Sequence, residues 1–390
     1  MLDNTTITAT RKTMPWGDKA VVATYSKESD PRLSGYSAMV ITDSSISGVE
    51  FECDADRLVT MIVRFPRCIL SEMNTHRVFS RNSASSRARS LKTTIKQVLE
   101  DPYIPLFTEN AKGMQGPFIT DETQLDMAKK EWLFARDSAV KHAMRMLLGD
   151  DSDRVTRIDP KQRRVLCISH SYPSLQSSLD MYYTDYYGKG NDIPDIIPNV
   201  HKQTVNRLLE PFMWHEMLIT SSYWENFFRL RTDEAAQPEM QAIAQLMYVA
   251  YHESNPVRRE LHIPFISSEK VANMSLLGYI REAFMQSAAE CARISYHDRS
   301  TMTSTGNSDL ALRLLSQGHM SPFEHQAIGR MYLNRLAYRD NGQLLDDWGR
   351  SMSGNLALDW CQYRKIIEAE RTAERPLFLT TSEEKTNVSE

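Results

Sequence analysis

The chain has 390 residues, 41% of them apolar, with 46 Lys and Arg against 50 Asp and Glu and a formal net charge of −4. Such a chain can bury a large core in two or three domains, and its near-neutral balance does not imply general electrostatic attraction to nucleic acid, so no duplex DNA partner is expected. Cys53, Cys68, Cys167, Cys291 and Cys361 are scattered without a C-x-x-C pair, which argues against a zinc ribbon or disulfide scaffold and fits a reducing compartment. The N-terminal MLDNTTITATRK has no apolar signal-peptide region, and no apolar run approaches the roughly 20 residues of a membrane span. A soluble, cytoplasmic protein without a membrane partner is expected.

Residues 1–50 mix β-formers (Val21 to Tyr25, Ala38 to Thr42) with turn residues and read as an N-terminal extension of one or two edge strands. Arg57 to Phe65 (RLVTMIVRF) is β-branched and apolar, a buried strand, and Pro66 opens a short helix reaching about His76. Asn74 to Arg89 (NTHRVFSRNSASSRAR) then carries His76, Arg77, Arg81, Arg87 and Arg89 among hydroxyls and amides, with no acid before Glu100. Guanidinium forks and short hydroxyls suit phosphate oxygens, although the ordinary state of a charge run is a solvated surface.

Leu91 to Leu99 reads as a short helix. Pro102 to Phe118 is a Pro/Gly connection, more ordinarily a surface loop than a lid. From Thr123 to Leu148, Ala128, Trp132, Ala135, Ala139, Ala143 and Met146 recur at helical spacing, with Gly149 as a stop. Asp150 to Pro160 and Tyr172 to Pro198 read as insertions, and the tyrosines of the second more often pack on their own domain than on a base.

Arg207 lies in NRLLEP, and ENFFRLRTDEAAQPEM runs from Glu225 to Met240. Pro238 at a first-turn position opens a helix to about Ser254, closed by Asn255-Pro256. A further helix from about Leu276 to Arg293 leads into CARISY (Cys291 to Tyr296). After a helix over Ser308 to Ser316 comes GHMSPFEH, Gly318 to His325. Glu324 and His325 are adjacent and diverge on any regular element, so no metal site is predicted. Asn355 to Glu370 reads as a helix with a polar face, and the remainder as a disordered tail.

His76-Arg77-x-x-Ser80-x-Asn82-x-x-Ser85-x-Arg87 resembles the Arg-His-Arg-x-x-Ser-x-Asn-Glu-x-Ser-x-Arg signature of flavin-dependent thymidylate synthases, with Thr75 in place of the first Arg and Ser83 in place of Glu. ENFFRLRTDEAAQPEM resembles the family's Asn-Phe-x-x-Leu-Arg and Ala-Gln-x-Glu element, and CARISY its Ala-Ala-Arg-x-Ser element. GHMSPFEH matches Gly-His-x-Ser-Pro-Phe-Glu-His at every specified position. The family's first block stands last here, so the resemblance implies a circular permutation of its α+β fold, a curved mixed β-sheet flanked by helices. The expected division is 1–50 extension, 51–254 first catalytic block with insertions at 150–198, 255–370 second block, and 371–390 tail.

The resemblance further implies FAD as cofactor, methylene-tetrahydrofolate and NADPH as co-substrates, and a homotetramer with shared active sites. His76, Arg77, Asn82, Asn226, Ser295, His319 and Ser321 fall at flavin-holding positions. Arg87, Arg207, Arg231 and Ser85 fall at substrate positions. Arg231, with Ser85 orienting, is the group expected to polarise the pyrimidine electrostatically, since no Pro-Cys-His nucleophile motif is present. The implied reaction is C5 methylation of dUMP to dTMP. Glu72, near a position where the family often has Gln, keeps open C5 hydroxymethylation or hydroxylation of dCMP or dUMP, because a carboxylate accepts from a cytosine amino group. A noncatalytic nucleotide- or RNA-binding module is the third reading.

Overall fold

The computed structural model describes residues 7–26, 30–46, 56–85, 89–112, 116–146, 156–159, 164–167, 200–272, 277–295, 304–341 and 350–372. The strands, in chain order, are β1 (Ile7–Thr13), β2 (Lys19–Tyr25), β3 (Ser37–Ser45), β4 (Arg57–Pro66), β5 (Ser80–Ser83), β6 (Thr156–Asp159), β7 (Arg164–Cys167), β8 (Trp214–Ser221), β9 (Val257–Arg258), β10 (Leu261–His262), β11 (Ala327–Gly329) and β12 (Trp360–Gln362). The main sheet runs β1-β2-β3-β4-β8-β5, with β9 added in parallel to β3. A second sheet runs β10-β11-β12 antiparallel. The fold is α+β, with helices on largely antiparallel sheets.

By internal contacts the chain forms two units: residues 1–65, 69–84 and 215–390, and residues 66–68 and 85–214. In the first unit β4 lies between β3 and β8, and its near-continuous apolar sequence follows from burial on both faces. Leu58 packs with Ala327, Leu356 and Trp360, and Ile62 with Met14, Leu218 and Phe265. The helix Pro238–Glu253 starts with Pro in its first turn and is buried along most of its length. It is tied to the sheet by the Tyr25 hydroxyl, which donates to the Ala242 carbonyl at 3.0 Å. The helix Leu277–Ala292 contributes Phe284, Ala288 and Ala289 to a core shared with Phe323, Tyr363 and Ile367.

In the second unit, Ser90 caps the helix Leu91–Glu100 by accepting from Thr93 N at 3.1 Å. Leu91, Ile95 and Val98 of that helix meet Val140 and Ala143 of the long helix Glu122–Met146, together with Leu209 and Phe212. β6 and β7 pair as a separate two-stranded ribbon.

Two expectations are corrected. The N-terminal segment supplies three strands, because β2 and β3 carry enough apolar residues to be buried behind β1. Asn355 to Glu370 is not one helix: Trp360 and Cys361 are buried in β12 against β11, and the helix begins only at Tyr363. The tyrosine-rich stretch 172–198 and the tail 373–390 lie outside the described residues. Among the described residues no helix is long and apolar enough to cross a membrane.

Candidate functional site

The Gly-His-x-Ser-Pro-Phe-Glu-His segment is shaped by a helix stop. Gly318 follows the helix Ser304–Ser316 at φ 74°, in the left-handed region that favours glycine. Gly318 N donates to Leu315 O at 3.1 Å and His319 N to Leu314 O at 2.9 Å, the paired bonds of a Schellman stop. Pro322 then opens the 3-10 turn Ser321–Glu324, Phe323 enters the core, and His325 is fully buried. Between these anchors, Glu324 is left at the edge of a cleft.

Opposite stands the Arg/Ser segment. The short helix Leu70–Met73 leads through a turn into β5, which pairs antiparallel with β8. Alternation along β5 turns Ser80 and Asn82 inward and leaves Arg81 on the other face. Asn82 donates to the Cys291 carbonyl at 3.2 Å, tying β5 to the end of the Leu277–Ala292 helix. Ser80 is buried, donates to Asn355 Oδ1 at 3.1 Å and accepts from Gln362 Nε2 at 3.2 Å. Gln362 also donates to Asn355 Oδ1 at 2.7 Å and to the Glu324 carbonyl at 3.1 Å. Gly354, at φ 61°, makes this possible: a Cβ there would press into Gln362 Oε1.

The resulting cleft has a volume of about 610 Å³ and is lined by Arg77, Phe79, Arg81, Glu324, Gly354, Asn355, Gln362, Arg364 and Lys365. That size falls in the usual range for small-molecule sites. Arg77 is exposed. Burial lowers the Arg81 guanidinium below its ordinary value, partly offset by Glu324. Arg364 pairs with Glu324 and with Glu368, and its pKa is raised, chiefly by the bond to Glu368. Lys365 pairs with Glu368 at 2.7 Å. Arg364 and Lys365 sit in the first turn of the helix Tyr363–Thr372, which has no acid there. Cations at that end oppose the helix dipole by roughly 0.3–1 kcal/mol each at the surface, an effect partly offset by their pairs with Glu368 one turn on.

Arg231 adjoins this region through His76. The helix Glu225–Arg231 buries Phe227 and Phe228 and carries Arg231 at its last position. Arg231 Nε donates to His76 Nε2 at 2.9 Å, Nη1 is bound by Glu72, and Nη2 donates to Thr75 Oγ1 at 3.4 Å. His76 stands edge-on to Phe227 at 4.8 Å and near Phe79 at 5.7 Å. Burial first, then the Arg231 and Arg81 charges, bring its pKa down to about 4. The imidazole is therefore neutral at pH 7, with Nε2 as the acceptor.

Beneath the site runs a buried hydrogen-bond chain. Ser44 Oγ meets His262 Nδ1 at 2.8 Å, and His262 Nε2 meets Thr60 Oγ1 at 2.7 Å. Thr60 Oγ1 meets Thr220 Oγ1 at 2.7 Å, and Thr220 meets His325 Nδ1 at 2.8 Å. His325 thus locks the late segment onto β8. Burial lowers His325 to about 3 and His262 well below its usual value.

Of the residues singled out from sequence, His76, Glu72 and Arg231 are brought into direct contact, and Arg77 lines the adjoining cleft. Asn226 is exposed and accepts from Arg229 at 3.0 Å. His319 and Ser321 are exposed and do not line the cleft. Ser85 and Arg207 belong to the second unit, while Arg87 and the Ser295 side chain lie outside the described residues. Arg81, read from sequence as one of the cations of the Arg/Ser segment, also lines the cleft, whereas Phe79, Asn355, Gln362, Arg364 and Lys365 were not singled out. In the sequence the Ser353-Gly354-Asn355 stretch reads only as a turn and the adjacent cations Arg364 and Lys365 only as a polar helix face, so neither marks a cleft by itself.

No family model matches the chain, and no curated protein matches it. Among solved structures, the UMP/dUMP methylase PolB from Streptomyces cacaoi, bound with 5-Br UMP, aligns at 13% identity and a TM-score of 0.33, over 56% of this chain and 89% of that one. Thymidylate Synthase X (ThyX) from Helicobacter pylori with FAD and dUMP aligns at 15% identity and a TM-score of 0.22, over 50% of this chain and 68% of that one. A second structure of that enzyme with FAD and dUMP gives 16% identity at the same TM-score. Superpositions this partial carry no residue-by-residue correspondence.

Proposed function

We propose that the chain is a flavin-dependent enzyme acting at C5 of a pyrimidine deoxynucleoside monophosphate, with dUMP to dTMP the leading reaction and methylene-tetrahydrofolate the one-carbon donor. One observation carries the reading: Arg77 and Arg81 of the early Arg/Ser segment share a cleft with Glu324 of the late Gly-His-x-Ser-Pro-Phe-Glu-His segment. Segments that resemble parts of one flavin site meet within a single unit although their order along the chain is exchanged. This meeting supports a circularly permuted version of the family's architecture.

The cation set fits a flavin dinucleotide or a nucleotide: the Arg77, Arg81, Arg364 and Lys365 side chains line the cleft beside the Phe79 ring, while the Asn355 and Gln362 amides hold its wall in place. When bound, reduced FAD supplies the hydride that, with the methylene carbon, completes the methyl group. The protein's own task is positioning and electrostatics. Arg231 is assigned to stabilise negative charge on the base carbonyl while C5 becomes nucleophilic. His76 fixes its guanidinium from one side and Glu72 from another. His76 and Arg77 are assigned to the flavin, together with Asn226, Ser295, His319 and Ser321, whose exposed members fit a site shared between subunits of a homotetramer. Ser85, Arg87 and Arg207 are assigned to the substrate.

Glu72 favours a second reading. A carboxylate beside Arg231 is an acceptor suited to a cytosine amino group, which makes dCMP hydroxymethylation or hydroxylation the runner-up. The purified full chain is expected to take up FAD, with the flavin absorbance perturbed on adding dUMP or dCMP. A chain that binds nucleotide but takes up no flavin would instead be the noncatalytic module.

A further inference from the structure

We propose that Arg364 and Lys365, with Arg77 and Arg81, form a phosphate-binding wall of the cleft, so that the C-terminal Ser353–Lys365 segment is part of the nucleotide site. Both residues lie outside every segment that resembles the thymidylate synthase motifs. The nucleotide identity rests on the reading above, but the anion site rests on its own observations.

The cleft lining holds Arg77, Arg81, Arg364 and Lys365 against Glu324, and Glu368 supplies a second carboxylate behind Arg364 and Lys365. Four cations and two carboxylates leave a net charge of about +2, which matches a phosphomonoester near neutral pH. Among the described residues Arg77 is paired with no carboxylate, and Arg81 has the Met73 carbonyl at 3.3 Å as its hydrogen-bond partner. These two are open to a ligand from the start. Arg364 is held by Glu324 and stands ready for exchange onto a stronger anion, while Lys365 reaches from the same first helical turn.

The buried support is built with the same purpose. Ser80, Asn355 and Gln362 bond one another and the Glu324 carbonyl, so the segment carrying Arg364 is fixed to the strand carrying Arg81. Gly354 is required for this turn. The ligand chemistry is a phosphate carrying about two charges, and it has two possible sources: the 5′-phosphate of the substrate nucleotide or the diphosphate bridge of the flavin dinucleotide.

The test is calorimetric titration of the full chain with dUMP, FAD and inorganic diphosphate, in low and moderate salt. Arg364→Ala and Lys365→Ala should each weaken one of the two nucleotides at least tenfold. Loss confined to dUMP assigns the wall to the substrate phosphate, and loss confined to FAD assigns it to the flavin. Glu324→Gln guards against simple misfolding, because removing a carboxylate from the cleft should tighten diphosphate binding severalfold. Unchanged affinities in both cation variants, or weaker diphosphate binding in Glu324→Gln with an unchanged thermal midpoint, would overturn the proposal. If the wild-type chain binds diphosphate in an Arg364-dependent way but neither FAD nor dUMP, the wall stands and the flavin reading fails.

Discussion

Arg231 is held from three sides, by Glu72, His76 and Thr75, and its usefulness depends on that hold being directional. His76 must remain neutral, because a protonated ring offers no lone pair to Arg231 Nε. With a folded pKa of about 4, it stays an acceptor through the physiological range. Relative to an unfolded value near 6.5, the contact stabilises the fold fully above that value and is lost as pH falls toward 4. Arg231→Ala is expected to lower kcat by a hundredfold or more while flavin stays bound, the pattern of a group acting on the transition state. Loss of flavin absorbance in that variant would assign the residue to the cofactor. Glu72→Gln is expected to raise the kcat/KM ratio of dUMP over dCMP, because an amide can donate to a uracil carbonyl; an unchanged ratio would remove Glu72 from base selection.

At the scale of elements, the chain Ser44, His262, Thr60, Thr220 and His325 ties β3, β10, β4, β8 and the late segment into one polar seam. Two neutral imidazoles and three hydroxyls can run it in either direction, and protonating either ring would place a charge in a fully buried site. Above pH 6.5 its contribution is intact. Below that, the unfolded chain binds protons that the folded chain refuses, and stability should fall by up to about 1.4 kcal/mol per pH unit for each histidine. Urea midpoints between pH 7.5 and 5 measure this slope, and a flat profile would contradict it. Thr220→Val strands two buried partners and should cost about 1–3 kcal/mol. Gly354→Ala should lower both stability and anion affinity, because the left-handed backbone and Gln362 leave no room for a methyl group.

How much of this was legible differs from element to element. β4 and the Pro238–Glu253 helix could be read because their apolar runs and Pro and Ser punctuation are strong local signals. β12 could not: three residues show no periodicity, and the polar spacing that follows mimics a longer helix. The motif segments announced Arg77 and His76, but Arg364 and Lys365 became visible only when the fold carried them to Arg81. Asn82 illustrates the reverse, a motif residue whose side chain the fold turns inward onto Cys291.

For the whole molecule, the account depends on two stretches separated by more than two hundred residues serving one reaction. Permuted order is compatible with this because chemistry depends on where side chains meet and not on when they are synthesised. The most direct measurement is mass spectrometry of the nucleotide after the chain, loaded with FAD and reduced, is incubated with methylene-tetrahydrofolate and dUMP, with dCMP in parallel. dUMP is predicted to gain the mass of one methylene group. A nucleotide pool returned unchanged by a flavin-loaded, folded protein, or a gain confined to dCMP, would contradict the assignment to thymidylate synthesis.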